Sequence, residues 1–358
     1  MSLLRALKWM DTDDVARGFL NAGGLPKILS QDYYEGIAEG LVAGKTPWTR
    51  LGFTPTMNTT ESDVWSAAGV YSFPAAEEAL EVISSSADDD ATIIAGDATG
   101  DTVESTGGST TSLEDTEEDF TADVAVGDCI ILDPHGASPE WGYVTAVAET
   151  VLTVAGGFSS GGSGSGRKYA VIDKSASTGL QAVFVCYLDG DYAYGCEIVC
   201  LGGVAAVDAI NNDFFRINHF RAIASGSGNK AAGAITLRVD GGGATRAQIT
   251  AGFTRERSSI YTVQAGKTLY IYELEFSFGY AANQTHYCRL YTRANIEPRT
   301  SFNTGSLFYP YSEAICANSS HTVKIDIPTK IPEKTDIRVS GIASVSGVAA
   351  VVMRGWLE

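Results

Sequence analysis

Residues 268–280 read TLYIYELEFSFGY, and the alternation in that stretch decides the fold class. Tyr270, Tyr272, Leu274, Phe276, Phe278 and Tyr280 recur at every second position, with Glu273, Glu275 and Ser277 between them. A period of two puts the apolar set on one face and the acids on the other, so a strand with one buried face is expected. Working outward, LQAVFVCYLDGDYAYGCEIVCL (180–201) predicts two strands around a turn at Asp189–Gly190. Further strands are expected at 214–223, 234–240, 286–293, 321–327, 335–343 and 349–357, with hairpin signals such as VDGGGATR between some of them. No long helical segment interrupts this region, which argues against a parallel βαβ sheet. The expected fold class is mainly β: an antiparallel β-sandwich of jelly-roll type.

The first 50 residues read differently. Leu3, Leu4, Leu7 and Met10 have helical spacing, and a second helix is expected over 13–21, capped by Asp11 or Thr12 and stopped by Gly23. Ser30 is a cap for a third, with Tyr33, Ile37 and Leu41 on one face and Gly44 as its end. Residues 1–50 are therefore read as a short helical N-terminal arm. Such an arm either caps its own core or docks on a neighbour. Leu4, Leu7, Trp9 and Phe19 are more apolar surface than a small arm buries alone, which favours docking.

Composition bounds the rest. With 358 residues, 37.8 kDa and 44% hydrophobic content, the chain can bury one large core or two modest ones. No stretch approaches the roughly 18 uncharged apolar residues of a membrane span, so no membrane partner is expected. The opening MSLLRALKWMDTDD lacks a signal-peptide core and cleavage site, which points to a product made in the cytoplasm. The net charge of −18 is lopsided: no Lys or Arg stands between Arg50 and Arg167, while 21 of the 43 acids lie in 51–166. A block so one-sided reads as a hydrated, solubilising surface. Asp88, Asp89, Asp90, Asp97 and Asp101 are calcium-ligand types, but no D-x-[DN]-x-[DN]-G loop is present, so no metal is expected. The missing basic stripe disfavours nucleic acid as a partner. Cys196 and Cys200 sit roughly 13 Å apart along a strand, too far to bond to each other. The six cysteines, several among apolar neighbours, read as small buried hydrophobes.

Several segments carry a resemblance. GFTPTMNTTESDVWSAAGVYSFP (52–74), EVISSSADDD (81–90), RINHFRAIASGSGNKAAGAITL (216–237), YTVQAGKTLYIYELEFSFG (261–279) and DIPTKIPEKTDIRVSG (326–341) resemble, in order, a family of virion structural proteins of tailed phages, many of them marine. DYYEGIAEGLVAGKTPWTRLGF (32–53) resembles that family's leading segment. In the family the SSSA-type loop runs within a few residues into a T-G-x-x-x-V strand and an L-D-x hairpin. Here that continuation, STGLQAVFVCYLDGDY, begins only near residue 177. The resemblance implies a virion component and carries over no catalytic residue.

The delay marks an insertion. Residues 92–174 are read as an inserted acidic β-domain with strand signals at TSLED, DCIILD, WGYVTAV and TVLTVA, ending in the flexible GGFSSGGSGSGRK. The core is then 51–91 plus 175–358, with the insert projecting from it. Chemistry-bearing patterns are sparse: His135, His219, His286 and His321 lack metal-ligand spacing, and GGSGSGRKY lacks the phosphate-loop spacing. Asp115, Glu117, Glu118 and Asp119 read as a solvated turn rather than a glycosidase pair.

The expected function is a non-enzymatic structural protein of the virion, a head-surface decoration or turret component, with no cofactor. The alternatives are a neck, tail or fibre component, a jelly-roll capsid protein, or, from another class, a carbohydrate-binding module. The last requires a flat exposed ring among Trp48, Trp65, Trp141 and Trp356. A homo-oligomer is expected, a trimer first and a pentamer next, alongside other virion proteins. Tyr287, Tyr291, Phe302, Phe308, Tyr309 and Tyr311 are the expected interface aromatics, because they exceed what one sandwich face hides.

Overall fold

The computed structural model describes residues 36–97, 103–155, 157–158, 164–279, 285–294, 309–317 and 320–358. The fold is mainly β, and every sheet is antiparallel. Along the chain run β1 (Thr46–Met57), β2 (Ser62–Asp63), β3 (Leu80–Ser84), β4 (Ile93–Gly96), β5 (Gly107–Ser109), β6 (Ser112–Glu114), β7 (Cys129–Leu132) and β8 (Glu140–Val147). Next come β9 (Val151–Ala155), β10 (Tyr169–Ile172), β11 (Leu180–Leu188), β12 (Tyr194–Cys200), β13 (Val207–Asp208), β14 (Arg216–Ser225), β15 (Ile235–Val239) and β16 (Thr245–Ile249). The last are β17 (Tyr261–Thr262), β18 (Leu269–Gly279), β19 (Thr285–Ala294), β20 (Tyr309–Ala317), β21 (Ser320–Ile331), β22 (Thr335–Ala343) and β23 (Gly347–Leu357).

One sandwich over 51–91 and 175–358 is not what forms. Five small sheets stand beside one another, a propeller-like multiplicity, and they share three main cores. The first core lies between a sheet ordered β1-β23-β18-β21 and one ordered β17-β22-β19-β20, with β2 added on β22. Leu274, Phe276 and Met353 from one sheet meet Leu290, Ile337 and Val339 from the other. The second core lies between β12-β11-β14 and β13-β3-β15-β16, where Val183, Val185 and Phe220 meet Val82, Leu237 and Ile249. The third fills a seven-stranded sheet ordered β4-β10-β7-β8-β9-β6-β5. That sheet curls back on itself, because Glu104, just before β5, bridges to Lys168, just before β10.

The strand that decides the fold class has a change of phase. Its register shifts between Ile271 and Glu273, so Leu269 and Ile271 point inward before the shift, and Leu274, Phe276 and Phe278 after it. Tyr270 and Tyr272 therefore leave the core face assigned to them by simple alternation. They stack on Trp356 instead, with ring centroids 5.0 and 6.2 Å away. A β-bulge adds one residue to one strand, and every residue on one side of it changes face.

The arm departs from expectation where it is described. A helical turn at 36–38 ends at Gly40 rather than Gly44. Gly40 has φ +72°, the Leu41 N–H bonds the Gly36 carbonyl and the Gly40 N–H bonds that of Ile37, a Schellman closure. Leu41 then lies 48% exposed instead of on a buried face. β1 starts at Thr46, inside the segment read as arm. Residues 1–35, with Leu4, Leu7, Trp9 and Phe19, lie outside the described residues.

Two further corrections concern the middle of the chain. Cys186 and Cys196 face each other across the β11–β12 hairpin and are joined as a disulfide, so they are not merely small hydrophobes. The residues 92–174 do not simply hang from the core. Ile131, Ile172 and Trp141 pack on Ala182, Ile198, Ile223 and Phe184 of the three-stranded sheet. The Tyr143 hydroxyl also donates to the Ile223 carbonyl at 2.7 Å.

Candidate functional site

The loops at 84–89, 178–180 and 231–233 converge on one carboxylate. Asp89, the middle acid of SSSADDD (84–90), is fully buried. It accepts hydrogen bonds from the Ser84 hydroxyl at 2.6 Å and from the backbone N–H groups of Leu180 at 2.7 Å, Ala232 at 2.9 Å and Gly233 at 2.8 Å. Three loops distant in sequence are thereby clasped by a single side chain. A charged acceptor suits this role, because bonds to an ionised group are shorter and stronger than neutral ones. The approach is close enough to dictate residue type: a Cβ at Gly179 would collide with Asp89 itself, and one at Gly226 with the Ser177 carbonyl. The insert leaves and re-enters the chain beside this clasp, where the Asp173 N–H bonds the Thr92 carbonyl at 3.0 Å.

A layer of buried charge separates the first two cores and joins them. Asp336 of β22 receives Arg216 Nε of β14 at 2.9 Å, Arg293 Nε of β19 at 3.1 Å and the Thr262 hydroxyl at 2.7 Å. Burial alone would raise the Asp336 carboxyl, but the two guanidinium groups outweigh it and hold the group below the ordinary carboxylate range. Nearby, Arg50 of β1 donates to Glu256 at 2.9 Å and to the Ile260 carbonyl, while Asn218 and Thr262 exchange two bonds of 2.9 and 3.0 Å. Burial pushes the Glu256 carboxyl up against the pull of Arg50. Asp63 is likewise raised by burial, against Arg338, Ser340 and the Tyr71 N–H.

The expected interface aromatics divide. Tyr291 is buried, its hydroxyl donates to Glu61 at 2.6 Å and its ring lies 5.2 Å from the Arg338 guanidinium, so its own chain already engages it. Tyr309 and Tyr311 lie in β20, an edge strand of its sheet, and Tyr287 lies in β19. Phe302 and Phe308 lie outside the described residues.

Of the acidic candidates, Asp89, Asp115 and Asp119 are engaged internally, Asp88 and Asp90 are exposed, and Asp101 lies outside the described residues. Asp115 is buried, accepts from the Tyr169 hydroxyl at 2.7 Å and caps the Glu117 N–H at 3.0 Å. Asp119 accepts both the N–H and the hydroxyl of Thr121. Glu81, Asp208 and Asp240 bring ligand atoms within 4.8 Å of one another, the one such carboxylate group among the described residues. Arg238 already donates to Glu81 at 2.5 Å, and the Gly242 N–H does so at 3.1 Å, so an internal cation and a backbone donor serve that carboxylate. His135 pairs with the fully buried Glu197 at 2.9 Å across the insert boundary. His219 is pushed down to about 4 by burial and by the charges of Arg50, Arg221 and Arg255. Sequence reasoning missed Arg216, Asp336 and the Arg221–Arg255 pair, since nothing local distinguishes a buried arginine from a solvated one. It noted the Asp88–Asp90 run without a way to single out Asp89.

Trp48, Trp65 and Trp356 are buried, and Trp141 is half-buried between Phe184 and the Arg221 guanidinium. No protein-family model, no curated protein and no solved structure matches the chain.

Proposed function

We propose that this protein is a non-enzymatic structural component of a tailed-phage particle, built on a jelly roll and displayed on the head surface. The observation that carries the reading is strand order. Counting the strands of the first unit from one to eight (β1, β17, β18, β19, β20, β21, β22, β23), the antiparallel pairs are 1 with 8, 2 with 7, 3 with 6 and 4 with 5. The two sheets read 1-8-3-6 and 2-7-4-5. A long folded ribbon rolled around one core gives this order, which is the jelly roll of many viral shell proteins. Fold analogy alone does not assign function. The family resemblance of the loops that meet at Asp89 supplies the second support.

A homo-oligomer, trimeric first and pentameric next, fits the same reading, because ring closure satisfies self-complementary surfaces. β20 offers an edge strand carrying Tyr309 and Tyr311 for such a contact. The carbohydrate-binding reading is weaker, because Trp48, Trp65 and Trp356 are buried and Trp141 is half-buried against Phe184 and Arg221. Electron microscopy of purified particles, at a resolution that traces the chain, is the test. Density for this chain on the outer head surface supports the reading; its absence from the particle overturns it. Light scattering of the purified protein gives the oligomer, and a monomer at every concentration refutes assembly.

A further inference from the structure

Most described arginines in this acidic protein are answered by carboxylates. Eight described arginines are in ion pairs. Arg221, Arg255 and Arg257 have no ion pair among the described residues, and all three belong to one place. The 254–256 segment runs antiparallel beside β14, with Arg221 bridged to Arg255. Bonds from the Ala222 N–H to the Thr254 carbonyl (2.7 Å) and from the Glu256 N–H to the Phe220 carbonyl (2.9 Å) flank that bridge. The two arginines thus form a non-hydrogen-bonded pair, the arrangement that brings opposing residues to a Cα separation of about 4.5 Å. Like charges placed directly opposite one another are destabilising. Glu256, next to Arg255 in sequence, is buried and already taken by Arg50.

The surroundings hold these guanidinium groups in place. Arg221 lies 5.0 Å from the Trp141 ring and 5.4 Å from Phe184. Arg257 lies 3.8 Å from Phe53 and 3.6 Å from Phe253. The Nε atoms of Arg221 and Arg257 are buried without a hydrogen-bond partner. Arg255 is exposed, and so is Tyr194 of β12, whose hydroxyl feels the Arg221 charge. His219, two residues from Arg221 on β14, stays neutral in this field and remains available as a hydrogen-bonding group. Trp141 belongs to the insert and the other residues to the core, so the site spans their seam.

We propose that Arg221 and Arg255, framed by Trp141 and Tyr194, form a binding site for an oxyanion, a phosphate or a carboxylate carried by a small ligand. Two adjacent guanidinium forks, that of Arg221 set against aromatic rings, match the planar edge of such groups, and an anion between them relieves the like-charge contact. The proposal goes beyond the structural role and does not depend on it. The test is calorimetric titration of the full chain, at low ionic strength, with inorganic phosphate, with glucuronate and with neutral glucose. Saturable binding of phosphate or glucuronate but not glucose is expected, and whichever saturates identifies the source of the oxyanion. Arg255→Ala, at an exposed position, should weaken it at least tenfold, while the exposed Lys267→Ala should leave it unchanged. Arg221→Lys should weaken it while the Trp141 fluorescence of the free protein persists. Failure of both anions to saturate, or equal affinity in Arg255→Ala, overturns the proposal. So does self-association by light scattering that Arg255→Ala abolishes while neither small anion binds, because the arginines would then hold the acidic insert of a second copy.

Discussion

Asp89 concentrates on one side chain what three loops need. Replacing it with Ala leaves the Leu180 and Gly233 N–H groups buried without an acceptor and deprives the exposed Ala232 N–H of its partner. Each such orphan costs about 1–3 kcal/mol, so Asp89→Ala is expected to lose about 4 kcal/mol or more in urea denaturation. Asp89→Asn keeps one acceptor oxygen and should lose about half as much. A loss under about 1 kcal/mol for the alanine variant would show that the loops hold without the clasp. His219 makes stability depend on pH. Its folded value, about 4, lies below the ordinary 6.5, so between those values the unfolded chain binds a proton that the folded chain refuses. Stability therefore rises with pH through this window and is lost on acidification from about pH 6.5 to about pH 4, by up to about 3 kcal/mol. In His219→Gln that part of the slope should vanish; an unchanged slope would place the titration elsewhere.

Element boundaries were legible where alternation is strong and local. Strands expected at 335–343 and 349–357 match β22 and β23 closely, because Val, Ile and small residues alternate there between sharp turns. β20 escaped notice because Pro310 interrupts it, and proline removes a ladder donor that only an edge strand can spare. β16, TRAQI, is too polar to announce itself, yet Arg246 is buried in a fork with Glu78 at 2.6 and 2.5 Å. β18 was recognised as a strand, but its bulge is invisible in an alternation that stays plausible on both sides of it. The phase change gives a direct test. Ile271→Ala should cost about 2–5 kcal/mol, as a core truncation does, and Tyr270→Ala, on the outer face against Trp356, clearly less. The opposite ranking by chemical denaturation would restore unbroken alternation and remove the bulge.

At the scale of the molecule, the sequence reads as one core with an interrupted loop, whereas the structure holds a second core over 74–91 and 180–256. Both halves of the polar loop were visible in SSSADDD and STG. That the 74–91 and 180–256 segments would gather around a core of their own was not, because partner choice between sheets depends on contacts distant in the chain. The charge layer of Asp336, Arg216 and Arg293 has the same long-range character. A buried pair of this kind is strongly destabilising to break, so the two cores should behave as one body. The residues 93–172 are joined differently, through an apolar face, the Tyr143 hydroxyl, the Ile198 N–H to Pro134 carbonyl bond, the Arg221–Trp141 contact and the His135–Glu197 pair. The Asp89 clasp draws none of its partners from them, and Thr92 and Asp173 already meet at 3.0 Å. Replacing 93–172 with a two-residue Gly-Gly turn should therefore leave a folded remainder with a single cooperative transition. It should be less stable and prone to aggregate, because Phe184, Ile198 and Ile223 lose their cover. Adding Phe184→Ser and Ile198→Thr should restore solubility without restoring stability. Circular dichroism and calorimetry of both variants decide the matter: loss of the β signal in the solubilised variant would mean that the insert is needed for the core to fold, and an unchanged melting temperature in the simple excision would mean that the docked face contributes nothing.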